Sequence, residues 1–275
     1  MLINDLKSIV EKNPDVSPTY LRSLLKERLQ YYILQFISSS PWSGNLLFKG
    51  GTCLRFFYDL PRLSEDLDFD MTKMDDFDLQ DFNTSITKYF ISIIQFPSFT
   101  TKLASNGRTL YLKFPILNHI IPDFGEQQSN VLHIRLDITP EPGHKYTTQI
   151  STKSALNFSF ITRHYSLSDL FAGKIAAIIK RETIEGTNLQ PRTKGRDYYD
   201  LIWYLEKKTI PNWDYLQEIT GLDHGKALLA LQTKVSEVNP KIIEQDLLPF
   251  FSDQNFVKSF CQNLKELFHT QSQSL

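Results

Sequence analysis

The sequence predicts an α+β protein: an N-terminal α/β unit over residues 1–150, then a mostly helical part over residues 151–275. Three observations predict it. Short alternating stretches separated by helical ones occupy the first half, and the texture turns helical from Ser168 onward. The composition is that of an ordinary globular chain, 41% hydrophobic and 22% charged over 275 residues, long enough to bury a sizeable core. Thirty basic residues against 31 acidic ones leave a formal charge of −1. No global field therefore draws the chain to nucleic acid, and a polyanion site has to be a local basic patch.

Each element follows from a local signal. Residues 18–36 (PTYLRSLLKERLQYYILQF) place Leu21, Leu24, Leu25, Leu29, Ile33 and Leu34 near helical spacing. SSSPWSGN, residues 38–45, is a loop by its Ser, Pro and Gly content. LLFKGG is a short apolar strand ending in two glycines, and TCLRFFYDL after it reads as a helix. RLSEDLDFD, TLYLKFPI and VLHIRLDIT alternate as strands do. DLFAGKIAAIIKR, with Ser168 as its expected N-cap, and RDYYDLIWYLEKK are helical. Helices with Pro and Gly breaks continue to about residue 267, and the final HTQSQSL is expected to fray. No linker marks the boundary between the halves; residues 141–154 are the expected crossing.

Cys53 and Cys261 have apolar neighbours and match no zinc-ligand spacing, so both are expected to be buried, as suits a reducing cytosol. The start of the chain lacks the pattern of a signal peptide, and no apolar run approaches the length of a membrane span. The expectation is a cytoplasmic protein with no membrane partner.

Four stretches carry chemistry. Lys49-Gly50-Gly51-Thr52 joins a strand to a helix, where glycines let the backbone approach an anion and the helix N-terminus points N–H groups at it. Taken alone, a tight turn needing positive φ explains an isolated Gly-Gly better. Ser64-Glu65-Asp66-Leu67-Asp68-Phe69-Asp70 puts Ser64 and three aspartates on one face of a strand, with Leu67 and Phe69 on the other. Carboxylates two residues apart sit roughly 6.5–7 Å apart at the backbone, close enough to converge on Mg²⁺ or Mn²⁺. A solvated acidic edge strand is the plainer alternative, but aspartate is a poor strand former and three on one face call for a reason. Asp66 and Asp68 rank above Asp70, which can simply start the acidic loop that follows. Asp137, on the polar face of VLHIRLDIT, is the candidate third metal ligand; an Arg135–Asp137 surface pair explains it equally well.

In the helical half, Lys174 falls on or beside an apolar face, where a snorkelling side chain is the ordinary reading and a contact to a triphosphate the functional one. Lys174, Lys180, Arg181, Arg192, Lys194 and Arg196 stand against Glu182 and Glu185, a local charge of +4. Its loop TNLQPRTKGR is the expected polyanion contact, unless it is merely a solvated basic loop. Asp197 and Asp200 open the next helix, where dipole stabilisation is the default account; a role for Asp197 in positioning Lys174 is the alternative.

Together these segments resemble the AbiEii/AbiGii toxin family of nucleotidyltransferases, which have a DNA polymerase beta-like catalytic core of mixed sheet and flanking helices. The resemblance rests on Phe48-Lys49-Gly50-Gly51-Thr52-x-Leu54-Arg55, then Arg62-Leu63-Ser64-Glu65-Asp66-Leu67-Asp68-Phe69, a helix with Lys174, and Arg196-Asp197-Tyr198-Tyr199-Asp200-Leu201. It covers roughly residues 45–205, and the two first motifs together are far more specific than either alone. It implies that Gly51 and Thr52 occupy the Gly-Ser position of the family's motif, that Asp66 and Asp68 are metal-binding carboxylates, that Lys174 contacts the nucleotide, and that Asp197 is the later essential acid. Lys49, Gly50, Gly51, Thr52, Ser64 and Arg196 are then the expected nucleotide-binding set. Asp137 is secured by no family motif. The resemblance also implies Mg²⁺ or Mn²⁺, an NTP substrate, a tRNA 3′ end as acceptor, and a cognate antitoxin protein in a bacterial toxin–antitoxin or phage-defence pair. Two rivals follow from the same residues: NMPylation, including AMPylation, of a protein partner, and a non-catalytic binding module of the same fold.

Overall fold

The computed structural model describes residues 2–105, 107–121, 129–185, 188–191 and 193–275, with backbone alone at 76, 182–185, 188–191 and 274. The chain divides into two compact units, residues 1–141 with 150–164, and residues 142–149 with 165–275.

The N-terminal unit opens with α1 (Leu2–Lys12) and α2 (Pro18–Ser39). Ser17 caps α2 through its side chain and Pro18 sits in the first turn, where its missing N–H costs nothing. Leu25, Leu29, Ile33 and Leu34 are buried as the spacing predicts, and Tyr31, Tyr32, Phe36 and Ile37 join them, so the second half of α2 is enclosed on most sides. Then come β1 (Leu46–Lys49), α3 (Gly50–Phe57), β2 (Leu67–Met71), α4 (Leu79–Lys88), β3 (Thr100–Leu103), β4 (Thr109–Pro115), a turn of helix α5 (Leu117–Ile120), β5 (Val131–Pro140), β6 (Thr148–Ala155) and β7 (Phe158–Tyr165).

The seven strands form one mixed sheet of order β3-β4-β5-β2-β1-β7-β6. β2 runs antiparallel to β1 and parallel to β5, which is itself antiparallel to β4. On β5 the buried residues are Leu132, Ile134, Leu136 and Ile138, the alternation read from sequence. Leu67 and Phe69 are buried on β2 likewise, with Phe69 stacked on Phe48 of β1 at 4.7 Å. This apolar side fixes which way the opposite, polar side faces, because a one-residue slip would invert both.

The strand expected over RLSEDLDFD is shorter than its alternation suggests: β2 begins at Leu67, and Ser64, Glu65 and Asp66 lie in the irregular segment before it. The reason is their main chain, which is engaged elsewhere: Gln30 of α2 donates to the Ser64 carbonyl at 3.0 Å, and Thr52 donates to that of Asp66.

The C-terminal unit contains α6 (Leu167–Lys180), a two-stranded hairpin of β8 (Glu182–Glu185) and β9 (Asn188–Pro191), then α7 (Gly195–Glu206), α8 (Trp213–Thr220), α9 (His224–Glu237), α10 (Pro240–Leu247) and α11 (Gln254–Gln271). The N-cap of α6 is Ser166, not Ser168, and its hydroxyl bonds Asp169. Asp169 also accepts from Thr147 and Asn212, so a buried carboxylate, rather than the first Ser-Asp pair, sets the start of the helix. The basic loop expected over residues 187–196 contains strand β9, and its Arg192 lies outside the described residues. α11 runs to Gln271, into the tail expected to fray, because Phe268 is buried and holds its last turn. Both cysteines are buried, and burial pushes the thiol of Cys53 well up and that of Cys261 to about 12. Among the described residues no helix is long and apolar enough to cross a membrane.

Candidate active site

The strand β1 hands directly to α3: Lys49 is extended and occupies the N-cap position, and Gly50 already belongs to the helix with φ +78°. Only glycine adopts that conformation without strain. Among the described residues the N-cap Lys49 makes no side-chain cap bond to the first-turn N–H groups of α3. A Cβ on Gly50 would overlap the carboxylate of Asp68, and one on Gly51 would lie 2.5 Å from the guanidinium of Arg62 and 3.1 Å from the hydroxyl of Ser64. The glycines are thus required by their neighbours: they let the carboxylate strand and a buried arginine pack against the helix start.

Arg62 is 2% exposed and donates to the Leu63 carbonyl at 2.8 Å. It carries no role in the sequence reading, although it stands in the motif; a single arginine before a Ser-x-Asp run gives no hint of burial. Thr52 is fully buried, and its hydroxyl is spent on the Asp66 carbonyl. Its side chain therefore holds the entry to β2 and leaves only its N–H for an anion.

Neighbouring strands arrange the polar side. Asp68 pairs in register with Lys49 on β1 and with Asp137 on β5, and Asp70 pairs with Thr139. Paired residues share a face, so Lys49, Asp68, Asp70, Asp137 and Thr139 lie together. The Lys49 ammonium sits 2.5 Å from Asp70, whose side chain is 1% exposed, and Thr139 donates to the same oxygen at 2.7 Å. Asp137 takes the Arg135 guanidinium on both oxygens, at 2.5 and 3.2 Å, and the Thr109 hydroxyl at 2.5 Å. Asp66 and Asp68 are half-buried. Among the described residues no group of three or more His, Cys, Asp or Glu side chains is placed to hold a metal ion. The donor chemistry that fits is the two-carboxylate kind: Asp66 and Asp68 offer hard oxygens next to a helix start, and Mg²⁺ is ordinarily held by one or two carboxylates with phosphate oxygens and water completing the shell.

In the C-terminal unit Lys174 of α6 lies 2.9 Å from Asp197 and 2.7 Å from Asp200, both on α7, and Arg181 lies 2.8 Å from the other oxygen of Asp197. All four are largely or fully buried. Burial alone would raise the pKa of Asp197; Lys174, then Arg181, outweigh it and hold the carboxylate down at about 2. The Lys174 ammonium is thus paired with both Asp197 and Asp200 and is not turned out to solvent. Arg196 packs over Phe250 at 4.6 Å and pairs with Asp246 at 3.4 Å, so a neighbouring helix holds its side chain.

A family model described as the nucleotidyl transferase AbiEii toxin of type IV toxin–antitoxin systems matches residues 32–260. No curated protein matches the sequence. Among solved structures, MenT4, a nucleotidyltransferase toxin from Mycobacterium tuberculosis H37Rv, is similar with a TM-score of 0.56 and 14% identity, over 98% of this chain and 92% of its own. JHP933 from Helicobacter pylori matches with a TM-score of 0.43 and 16% identity, over 94% of this chain and 97% of its own. At that identity the likeness to MenT4 shows the shared fold.

Proposed function

This chain belongs to the family of AbiEii nucleotidyl transferase toxins of type IV toxin–antitoxin systems, and from that premise we propose that it moves a nucleoside monophosphate from an NTP to the 3′ end of tRNA in the cytoplasm, opposed by a cognate antitoxin. The observation that carries the reading is the approach of Asp68 to Gly50, which builds the carboxylate strand and the start of α3 against each other. That pairing suits a substrate with a triphosphate tail and a cation.

The acceptor hydroxyl attacks the α-phosphorus in line. Its oxygen forms the new P–O bond as the bond to the bridging oxygen breaks, pyrophosphate leaves with the electron pair, and the hydroxyl proton passes to solvent. Asp66 and Asp68 hold Mg²⁺ or Mn²⁺, which supplies neutralisation of the charge on the phosphoryl oxygens. The first-turn N–H groups of Gly50, Gly51 and Thr52 bind the triphosphate, aided by the positive end of the helix. Thr52 keeps Asp66 in place through its carbonyl. Lys174, positioned by Asp197, is assigned to the nucleotide by the family resemblance, as are Lys49, Ser64 and Arg196.

The test is incubation with Mg²⁺, each α-labelled NTP in turn and total bacterial tRNA, beside an Asp66→Ala control. Label on tRNA from the intact protein alone, lost on nuclease digestion, is the expected result and names the donor. Label that resists nuclease in lysate would move the acceptor to a protein. An Asp66→Ala variant with full activity would remove Asp66 from the metal set.

A further inference from the structure

Two of the cations on the polar side of the sheet, Lys49 and Arg135, are held in different ways. Lys49 is tied to Asp70, a carboxylate that is 1% exposed and also accepts from Thr139. Arg135 is tied to Asp137, two residues away on the same strand. The side chains of Arg135 and Asp137 are 41% and 16% exposed. Among the described residues the Arg135 guanidinium has no other partner, and its side chain is the more exposed of the two cations, 41% against 31% for Lys49.

Asp137 lies beside Asp68 in the parallel register, on strands about 4.8 Å apart. Two carboxylates so placed repel, and Arg135 offsets that repulsion in the protein without substrate. A divalent cation at Asp68 would take over the same task and leave the arginine surplus. A guanidinium fork released there matches a phosphate as well as it matches a carboxylate.

We propose that Arg135 is an exchangeable residue of the nucleotide site: it holds Asp137 while the site is empty and passes to a triphosphate oxygen when metal and NTP enter, freeing Asp137 as a third oxygen ligand. The proposal rests on the metal-dependent reading above. It gives Arg135, which no motif marks, a part in substrate binding.

Titration of the nucleotide-free protein with Mn²⁺, followed by electron paramagnetic resonance, tests it. Arg135→Met should bind Mn²⁺ about tenfold more tightly than the unaltered protein, because the competitor for Asp137 is gone. In an Asp137→Asn background the same substitution should gain nothing. Steady-state kinetics should show Arg135→Met raising KM for NTP more than it lowers kcat. Unchanged Mn²⁺ affinity in Arg135→Met, or an equal gain with Asp137→Asn present, overturns the exchange. Asp68→Asn reports separately on the underlying reading: if it binds Mn²⁺ as the unaltered protein does, the metal assignment itself fails. If Asp68→Asn loses binding while Arg135→Met behaves as unaltered, only the exchange falls.

Discussion

The polar side of the N-terminal sheet and the Lys174 cluster of the C-terminal unit both bring lysine, arginine and aspartate together, yet they are built for different ends. The Lys174 cluster pairs two cations with two carboxylates, with Asp200 fully buried and Lys174 only 11% exposed. The sheet face is half-open at Asp66 and Asp68, with Lys49 meeting Asp70 across strands and Arg135 meeting Asp137 along one strand. A buried quartet answers to mutation through stability, because removing one member leaves another charge without compensation. The half-buried Asp66 and Asp68 answer through activity, because their carboxylates can be removed at little cost to the core.

The contrast is sharpest for Asp68→Ala and Asp66→Ala. Each is expected to lower nucleotide transfer by more than about 10³-fold while the urea midpoint stays near that of the unaltered protein, since half-buried side chains are removed and the carbonyl that Thr52 holds remains. A collapse of the fold in these variants would erase the distinction between the two regions. On the other side, Asp200→Ala is expected to cost about 3–5 kcal/mol of stability in urea melts, with Lys174 left short of a buried partner. A cost below about 1 kcal/mol would mean that the quartet is no more tightly bound together than a surface pair. Between the two lies Gly50→Ala, expected to cost about 3 kcal/mol and most of the activity together, because a Cβ there is strained by φ +78° and displaces Asp68. Circular dichroism and the labelling assay on one preparation separate the two losses.

The same contrast explains what was legible in the sequence. Strands with one apolar face announce themselves: β4 and β5 alternate cleanly, and Leu67 and Phe69 mark the back of β2. β7 buries Thr162 and His164 in places where an alternation count expects aliphatic residues, and β6 is an edge strand that leaves Ile150 73% exposed; neither shows a readable pattern. The residue types of the candidate site were legible because glycine and clustered aspartates are costly where no purpose requires them. Their links were not. Nothing in the order Lys49-Gly50-Gly51-Thr52 says that the lysine reaches Asp70, 21 residues on, or that Thr52 turns its hydroxyl to Asp66. Such pairings come from strand register, which a single sequence leaves open. Arg62 is the clearest omission, since an arginine 2% exposed contradicts the usual preference of its side chain for the surface.

The smallest expected effect isolates the quartet by pH. The carboxyl of Asp197 lies at about 2 in the folded protein, against an ordinary 3.8 for an unfolded chain. As pH falls below about 4 the unfolded chain takes up this proton first, so folding weakens, and the loss is complete once pH passes below about 2. The stability in question, about 2 kcal/mol, is fully present above pH ~5 and absent only at the acid end. Asp197→Asn removes the titrating group, and its stability should therefore change less than that of the unaltered protein across this window, by about that amount. Urea melts at half-unit steps between pH 5 and pH 2 measure the difference. Equal slopes in the two proteins would mean that Lys174 and Arg181 do not hold Asp197 charged, and that the quartet is no more settled than the open face of the sheet.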